Sequence, residues 1–509
     1  MKRISLLSRS MVIVIAILLV AVVPVLAGST IKTLSTNFTV VNLSTTTNAS
    51  VIALYYKDDG STWTAHPDNT NFTVPMNYGQ FIARQYTDTT LTSGKGSVVL
   101  SSTEPLAAVV QIQARGQVST IGAYSGFTTG SNKFFIPLVM RNANSASGIA
   151  NTQIMIQNIM NEDITASVQF IPSPGTAYLG FTKNFTGGDN IKKYSTIYYD
   201  VADESTSNLP NGWIGSAVVT AQTSKQIAVV TNIFFGSDSL QTFNAFMDES
   251  KGTSWAVPQF ASRLASNNFN TPVSVQNVSG STMLTGTIQM TCNPATGYTG
   301  NVNIANTVSV PDTASYAFNP VTNLSITGNW QGACVVTAPG NIVAYVQLRK
   351  PNVNADFAAH EAFRTDSTNS QVVFPLVAKT LTNNFATAQL IMNLSSTETA
   401  YIHLKYTRGS ESSVGQAVYE YDATILPRKN MIINTRLPCE PAYLYTATCT
   451  TDGTHPGMPS GWQGTLVVTT TPGHTAVPLV GYVQLTWLSQ PAGGDLYMAH
   501  NAFSLPETP

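Results

Sequence analysis

A long internal repeat is the feature that most limits what this 509-residue chain can fold into. Three segments open alike, as Phe135-Ile136-Pro137-Leu138-Val139, Ala256-Val257-Pro258-Gln259-Phe260 and Val373-Phe374-Pro375-Leu376-Val377. Each is followed by an apolar strand ending in Asn158, Asn277 or Asn393. A turn carrying Trp213, Trp330 or Trp462 then leads into a β-branched run, and each unit closes on Ala245-Phe246, Ala362-Phe363 or Ala502-Phe503. Trp213 and Trp330 are 117 residues apart, as are Phe246 and Phe363. Solenoid units repeat every 20 to 50 residues, so each copy here is large enough to be a domain.

The start of the chain holds a degraded copy, with an Asn-ended strand at Asn42 and Gly96-Ser97-Val98-Val99 for the later strand. It lacks the Pro-Leu-Val opening and the Trp, so it is a capping module or one strand short. Within a copy, apolar residues alternate with polar ones, as at Ile402, Leu404 and Tyr406, and Gly, Asn, Asp and Pro clusters punctuate the strands. That is the pattern of half-buried antiparallel strands. Seven or eight such strands per copy predict an all-β chain of about four tandem immunoglobulin-like β-sandwich modules. The expected modules are 28-129 (atypical, capping), 130-249, 250-367 and 368-509, the last with a loop insertion. Placed in line as an extended array they would span roughly 130 to 140 Å.

Lys2, Arg3 and Arg9 precede an uncharged apolar run from Met11 to Val23, and Val25-Leu26-Ala27 fits a signal peptidase. Residues 1-27 therefore read as a signal peptide, too short in its apolar part for a comfortable membrane span. Cys292, Cys334, Cys439 and Cys449 then read as disulfide partners in an exported protein, paired Cys292 with Cys334 and Cys439 with Cys449 so that each bond stays within one repeat. Charged residues are only 10% of the chain and the net charge is −1, which leaves no electrostatic footprint for nucleic acid. Hydrophobic residues at 43% are too many for a disordered stalk.

The run Ala123-Tyr124-Ser125-Gly126-Phe127-Thr128-Thr129-Gly130, leading into Phe135-Ile136-Pro137-Leu138-Val139-Met140, resembles the repeat junction of uncharacterised secreted β-repeat surface proteins of filamentous gliding bacteria. The resemblance implies a cell-surface β-repeat protein and carries over no catalytic residue.

No zinc-protease motif, nucleophile elbow or phosphate-binding loop occurs in the sequence. His360 and His500 recur at matching repeat positions, which favours a structural role over a catalytic one. The Lys57-Asp58-Asp59-Gly60 turn offers two carboxylates and reads as a solvated hairpin, not a calcium site. Trp213, Trp330 and Trp462 are the candidate carbohydrate contacts, because an exposed indole stacks on a sugar ring; the competing expectation is that they pack under the sheet. The reading that follows is a secreted, non-enzymatic surface protein of structural or adhesive type, with no cofactor and no metal. Its partners would be further copies of itself or extracellular polysaccharide, and the rival is a carbohydrate-binding array.

Overall fold

The structure, a computed structural model, describes residues 14–20, 34–114, 120–145, 148–236, 239–264, 268–322, 326, 328–350, 356–382, 384–435, 458–487 and 495–506, with the backbone alone for 14–20. The described chain is nearly all antiparallel β-sheet. Its strands fall into four consecutive blocks, 14–125, 133–247, 252–364 and 371–505, and no described sheet takes strands from two blocks.

The second block shows the pattern. One sheet runs Phe181–Phe185, Ala166–Pro172, the Trp strand Trp213–Ala221, the opening strand Lys133–Arg141 and the closing strand Phe246–Met247. The other contains Thr196–Asp200, the Asn strand Gly148–Asn158, the inner strand Ile227–Phe235 and the seam strand Ser239–Asn244. The fourth block repeats this order, from its opening strand Gln371–Lys379 to its seam strand Tyr497–Asn501. In the third block the Trp and inner strands are one continuous strand, Trp330–Lys350, which joins both sheets. The strand order departs from the expected immunoglobulin arrangement. There the first two strands share a sheet, whereas here the opening and Asn strands lie in opposite sheets.

Each repeated motif has a physical reason. Pro137-Leu138 faces the single residue Ser216, Pro258-Gln259 faces Ala333, and Pro375-Leu376 faces Thr465. The opening strand is therefore bulged, and proline, which has no N–H to give the ladder, sits at the bulge. The glycine two residues after each Trp lets the strands close. A Cβ on Gly215 would lie 2.1 Å from the Ile171 carbonyl oxygen and 2.7 Å from the Trp213 ring. Gly332 and Gly464 have the same neighbours in their blocks.

The terminal asparagines are fully buried caps. Asn393 donates through Nδ2 to the carbonyls of Glu398 (2.8 Å) and Ile425 (2.9 Å), and its Oδ1 accepts the Ser395 N–H at 2.8 Å. Asn42, Asn158 and Asn277 make the same three kinds of bond. Their burial rules out glycan attachment at the sequons that begin at Asn42, Asn277 and Asn393 in the folded chain.

The first block's described strands keep the same order, without a closing strand and with one substitution of parts. Val14–Val20, inside the run read as a signal peptide, pairs antiparallel with Gly96–Ser102 in the place that opening strands take elsewhere. Val98 faces Leu18 as Ala217 faces Ile136, and Val99 faces Ile17 as Val218 faces Phe135. The missing Trp is replaced from elsewhere in the chain. Trp63, buried at 3% exposure, lays its ring on Gly96, where a Cβ would come within 2.9 Å of it.

The expected extended array is overturned, because the blocks close on one another. The seam strands of the first and fourth blocks, Ile121–Ser125 and Tyr497–Asn501, pack together. So do the seam strands of blocks one and two, two and three, and three and four, the third being Asp356–Glu361. Asn244 Nδ2 donates to the Ser125 carbonyl at 2.9 Å, and Ser125 Oγ donates to the Asn501 carbonyl at 3.1 Å. Buried apolar clusters also cross the block boundaries, with Val109, Ile121 and Ala123 of the first block joining the core of the fourth. Buried apolar surface outweighs the solvation an in-line rod would offer these faces, so the rod gives way to a ring.

Candidate interaction sites at the block junctions

A second contact repeats around the ring, outside the seam. Ser97 Oγ donates to the carbonyl of Tyr194 at 2.6 Å, Ser216 Oγ to that of Thr313 at 2.7 Å, and Thr465 Oγ1 to that of Tyr78 at 3.1 Å. In each case the hydroxyl follows the glycine of one block and the carbonyl belongs to the next block in the ring. Tyr194, Thr313 and Tyr78 all have positive φ, at 56°, 63° and 60°. For a β-branched residue such as Thr313 this is a strained conformation, held by the surrounding contacts. The third block has Ala333 at the hydroxyl position, and there Asn293 Nδ2 reaches the carbonyl of Arg428, also at positive φ (56°), at 3.5 Å. Identical faces are thus not paired; a front face meets a back face at every junction, which is a head-to-tail interface whose rotation closes.

The seam concentrates the buried ionisable groups. Asp495 is fully buried and accepts the N–H groups of Leu240 (2.9 Å), Phe357 (3.2 Å) and Tyr497 (3.1 Å), which come from three different blocks. Burial, and secondarily the nearby Asp356, holds its carboxyl well above the usual carboxylate range. Asp356 accepts the Leu496 N–H at 2.9 Å, and Lys350 approaches it at 3.4 Å. Burial raises its carboxyl too, against the opposing charge of Lys350.

His360 and His500 occupy matching seam positions, both buried, each with Nδ1 against a backbone carbonyl, of Glu361 at 2.8 Å and Asn501 at 3.0 Å. Those carbonyls place the proton on Nδ1. Burial lowers both imidazoles to about 4, so they are neutral at pH 7. His360 stacks on Tyr482 across the junction of blocks three and four, with ring centroids 3.9 Å apart. Glu361 accepts the Asn244 N–H across the junction of blocks two and three at 2.5 Å, and burial pushes its carboxyl up to about 7. Asp356, Asp495, His360 and His500 are buried and Glu361 partly so, and each makes a contact that helps hold the blocks together.

The tryptophan candidates fall the same way. Trp213 and Trp462 are 0% exposed and Trp330 6%. Their indole N–H groups donate to the carbonyls of Leu179 (3.3 Å), Gln416 (3.2 Å) and Gly300 (3.1 Å). A ring in that position cannot stack on a sugar, so the carbohydrate-contact expectation for these three residues is corrected: they roof the core and cover the repeat glycines. Asp59 accepts the Ser61 N–H at 2.8 Å, a local turn bond. Among the described residues no group of three or more His, Cys, Asp or Glu side chains is placed to hold a metal ion.

Cys292 and Cys334, directly opposed on neighbouring antiparallel strands, form a disulfide on the same face as the Met290 and Val336 core pair two residues away. Cys439 and Cys449 lie outside the described residues.

What remains accessible at the junctions is a set of shallow grooves. One of about 490 Å³ lies between the first and fourth blocks, lined by His66, Asp68, Arg84, Asp88 and Glu411, with Arg84 and Glu411 paired at 2.8 Å. Smaller grooves of about 300 Å³ and 190 Å³ lie between blocks two and three and between blocks three and four. The sequence did not mark the seam carboxylates. The one available signal was an Asp at the start of the third block's seam strand, Asp356, and one two residues before the fourth block's, Asp495.

No family model matches the chain, and no curated protein does. Among solved structures it is similar to one titled "Crystal Structure of Thermotoga maritima 1070", at 12% identity and a TM-score of 0.19, covering 24% of this chain and 97% of that one. At those values the likeness carries no argument about function.

Proposed function

We propose that this chain is an exported, non-enzymatic protein of the cell surface with a structural or adhesive role, working as a closed four-block unit. The observation that supports this best is the use made of its chemistry-bearing side chains. His360, His500, Asp356 and Asp495 are buried in seams, and the recurring tryptophans are buried in cores. The Cys292 to Cys334 disulfide suits an oxidising compartment. No described helix is long and apolar enough to cross a membrane. The sequence resemblance to secreted β-repeat surface proteins points the same way.

In this reading the uncharged outer faces meet other copies or surface polymers, and the strained turns and grooves at the junctions carry any selectivity. Fractionation of the producing cells with immunogold electron microscopy tests it. Protein in the surface fraction, decorating the envelope, is expected; protein found only as free monomers in the medium would refute it.

A further inference from the structure

Among the described residues, Lys350–Asp356 is the most buried Lys–carboxylate pair. Its side chains are 14% and 5% exposed, whereas both partners of every other such pair are at least 21% exposed. The two residues stand directly opposite on neighbouring antiparallel strands, Trp330–Lys350 and Asp356–Glu361, so the backbone itself brings them together. Three contacts then fix their polar atoms. Lys350 Nζ lies 3.4 Å from Asp356 Oδ2. The Tyr497 ring covers the amine, with its centroid 3.7 Å from Nζ. Asp356 Oδ1 accepts the Leu496 N–H at 2.9 Å, which orients the carboxyl and draws electron density away from Cγ. Asp495 is placed reciprocally, its Oδ1 accepting the Phe357 N–H at 3.2 Å. Two carboxyl groups and one amine thus share a buried corner where the third and fourth blocks meet.

Ions are costly in such a corner, because the desolvation of a buried pair can exceed its mutual attraction. Burial favours the neutral acid and the neutral amine, which are the two forms that condense. Groups held in contact react as though each were present at about 10⁵–10⁸ M. We infer that Lys350 and Asp356 are joined by a side-chain amide bond that the folded chain forms by itself. The Nζ lone pair forms the bond to Asp356 Cγ, the Cγ–Oδ2 bond breaks, and Oδ2 leaves as water with two protons given up by the ammonium. The positive and negative charges cancel, nothing is oxidised or reduced, and no co-reactant is required. Oδ1 stays as the amide oxygen and keeps its bond from Leu496. The link would tie the strand that joins both sheets of the third block to the seam strand that packs against blocks two and four. It goes beyond the surface-protein reading and needs only the folded junction.

Mass spectrometry of the purified full chain decides the matter. The protein is unfolded, acetylated at its free amines and cut with trypsin, which releases Lys350–Arg364 as one peptide because Pro351 follows Lys350. The expected peptide is lighter than its sequence by one water, carries no acetyl group on Lys350, and yields no backbone fragments from within 350–356. Lys350→Arg, whose guanidinium cannot condense in this way, should restore the full mass. A peptide of full mass with Lys350 acetylated would overturn the bond and leave a buried ion pair. Loss of water with Lys350 acetylated, or loss that persists in Lys350→Arg, would place the dehydration elsewhere and overturn it equally.

Discussion

Replacing Asn393 gives the sharpest test of the repeat as a physical device. Its side chain is fully buried, and two carbonyls and one N–H lose their partner when the amide is removed. An unsatisfied buried polar group costs about 1–3 kcal/mol, so Asn393→Leu, which fills the volume and excludes water, should cost roughly 3 to 6 kcal/mol. Asn393→Ala leaves room for a water to serve some of the same groups and should fall at the low end of that range. Stabilities of single domains are about 5–15 kcal/mol, so either loss is a large share. The assay is urea unfolding followed by tryptophan fluorescence, since Trp462 lies in the same block and is buried. With a slope of about 1–3 kcal/mol per molar urea, the midpoint should fall by on the order of 1 to 6 M. Asn48→Ala is the control: its exposed bond to the Met76 N–H should be worth under about 1 kcal/mol. A Leu variant within about 1 kcal/mol of the native chain, or an Ala variant clearly worse than Leu, would mean that the cap is a packing residue and not a hydrogen-bonding one.

Further outcomes follow from the ring. Its radius of gyration by small-angle X-ray scattering should be about 24 Å for a compact body of this length, whereas a rod of four domains would give a value near 40 Å and would refute closure. His360 and His500 are neutral when folded, with pKa near 4 against 6.5, so their contribution is complete above pH 6.5 and is lost as pH falls toward 4. Glu361 has the opposite sign: its pKa near 7 against 4.5 costs stability as pH rises through that window. Between pH 6.5 and 4.5 the two histidines should therefore remove stability as pH falls, roughly twice as steeply as Glu361 returns it; Glu361→Gln should steepen the acid loss measured by denaturation across pH, and an unchanged slope would refute the assignment. Replacing Cys292 and Cys334 together by Ala opens a loop of 42 residues' separation and should cost about 4 kcal/mol, read as a lower melting temperature in calorimetry; an unshifted transition would show that the bond adds nothing.

The sequence announces what each block does for itself and conceals what the blocks do for one another. Proline at the bulge, the buried Asn cap and the Trp over its glycine recur because each solves a local problem inside one block, and recurrence at a fixed interval makes them visible. The ring is closed by groups with no such signature. The carbonyls of Tyr78, Tyr194 and Thr313 are presented by positive φ, yet none of these residues is a glycine, so nothing in the sequence flags the turn. The hydroxyls that reach them are Ser97, Ser216 and Thr465, ordinary in a strand. Asp495 gathers N–H groups from three blocks, a role that no spacing within one block could reveal. Trp63 replaces a motif residue from a loop outside the strands, and Val14–Val20 reads as a leader in sequence because an uncharged apolar run suits both an export machinery and a β-strand. A tandem repeat becomes a rod only if each junction is small. Here every block buries part of its seam strand against both neighbours, and the front-to-back contact turns the chain in the same sense at each step, so four copies bring the last seam strand back onto the first.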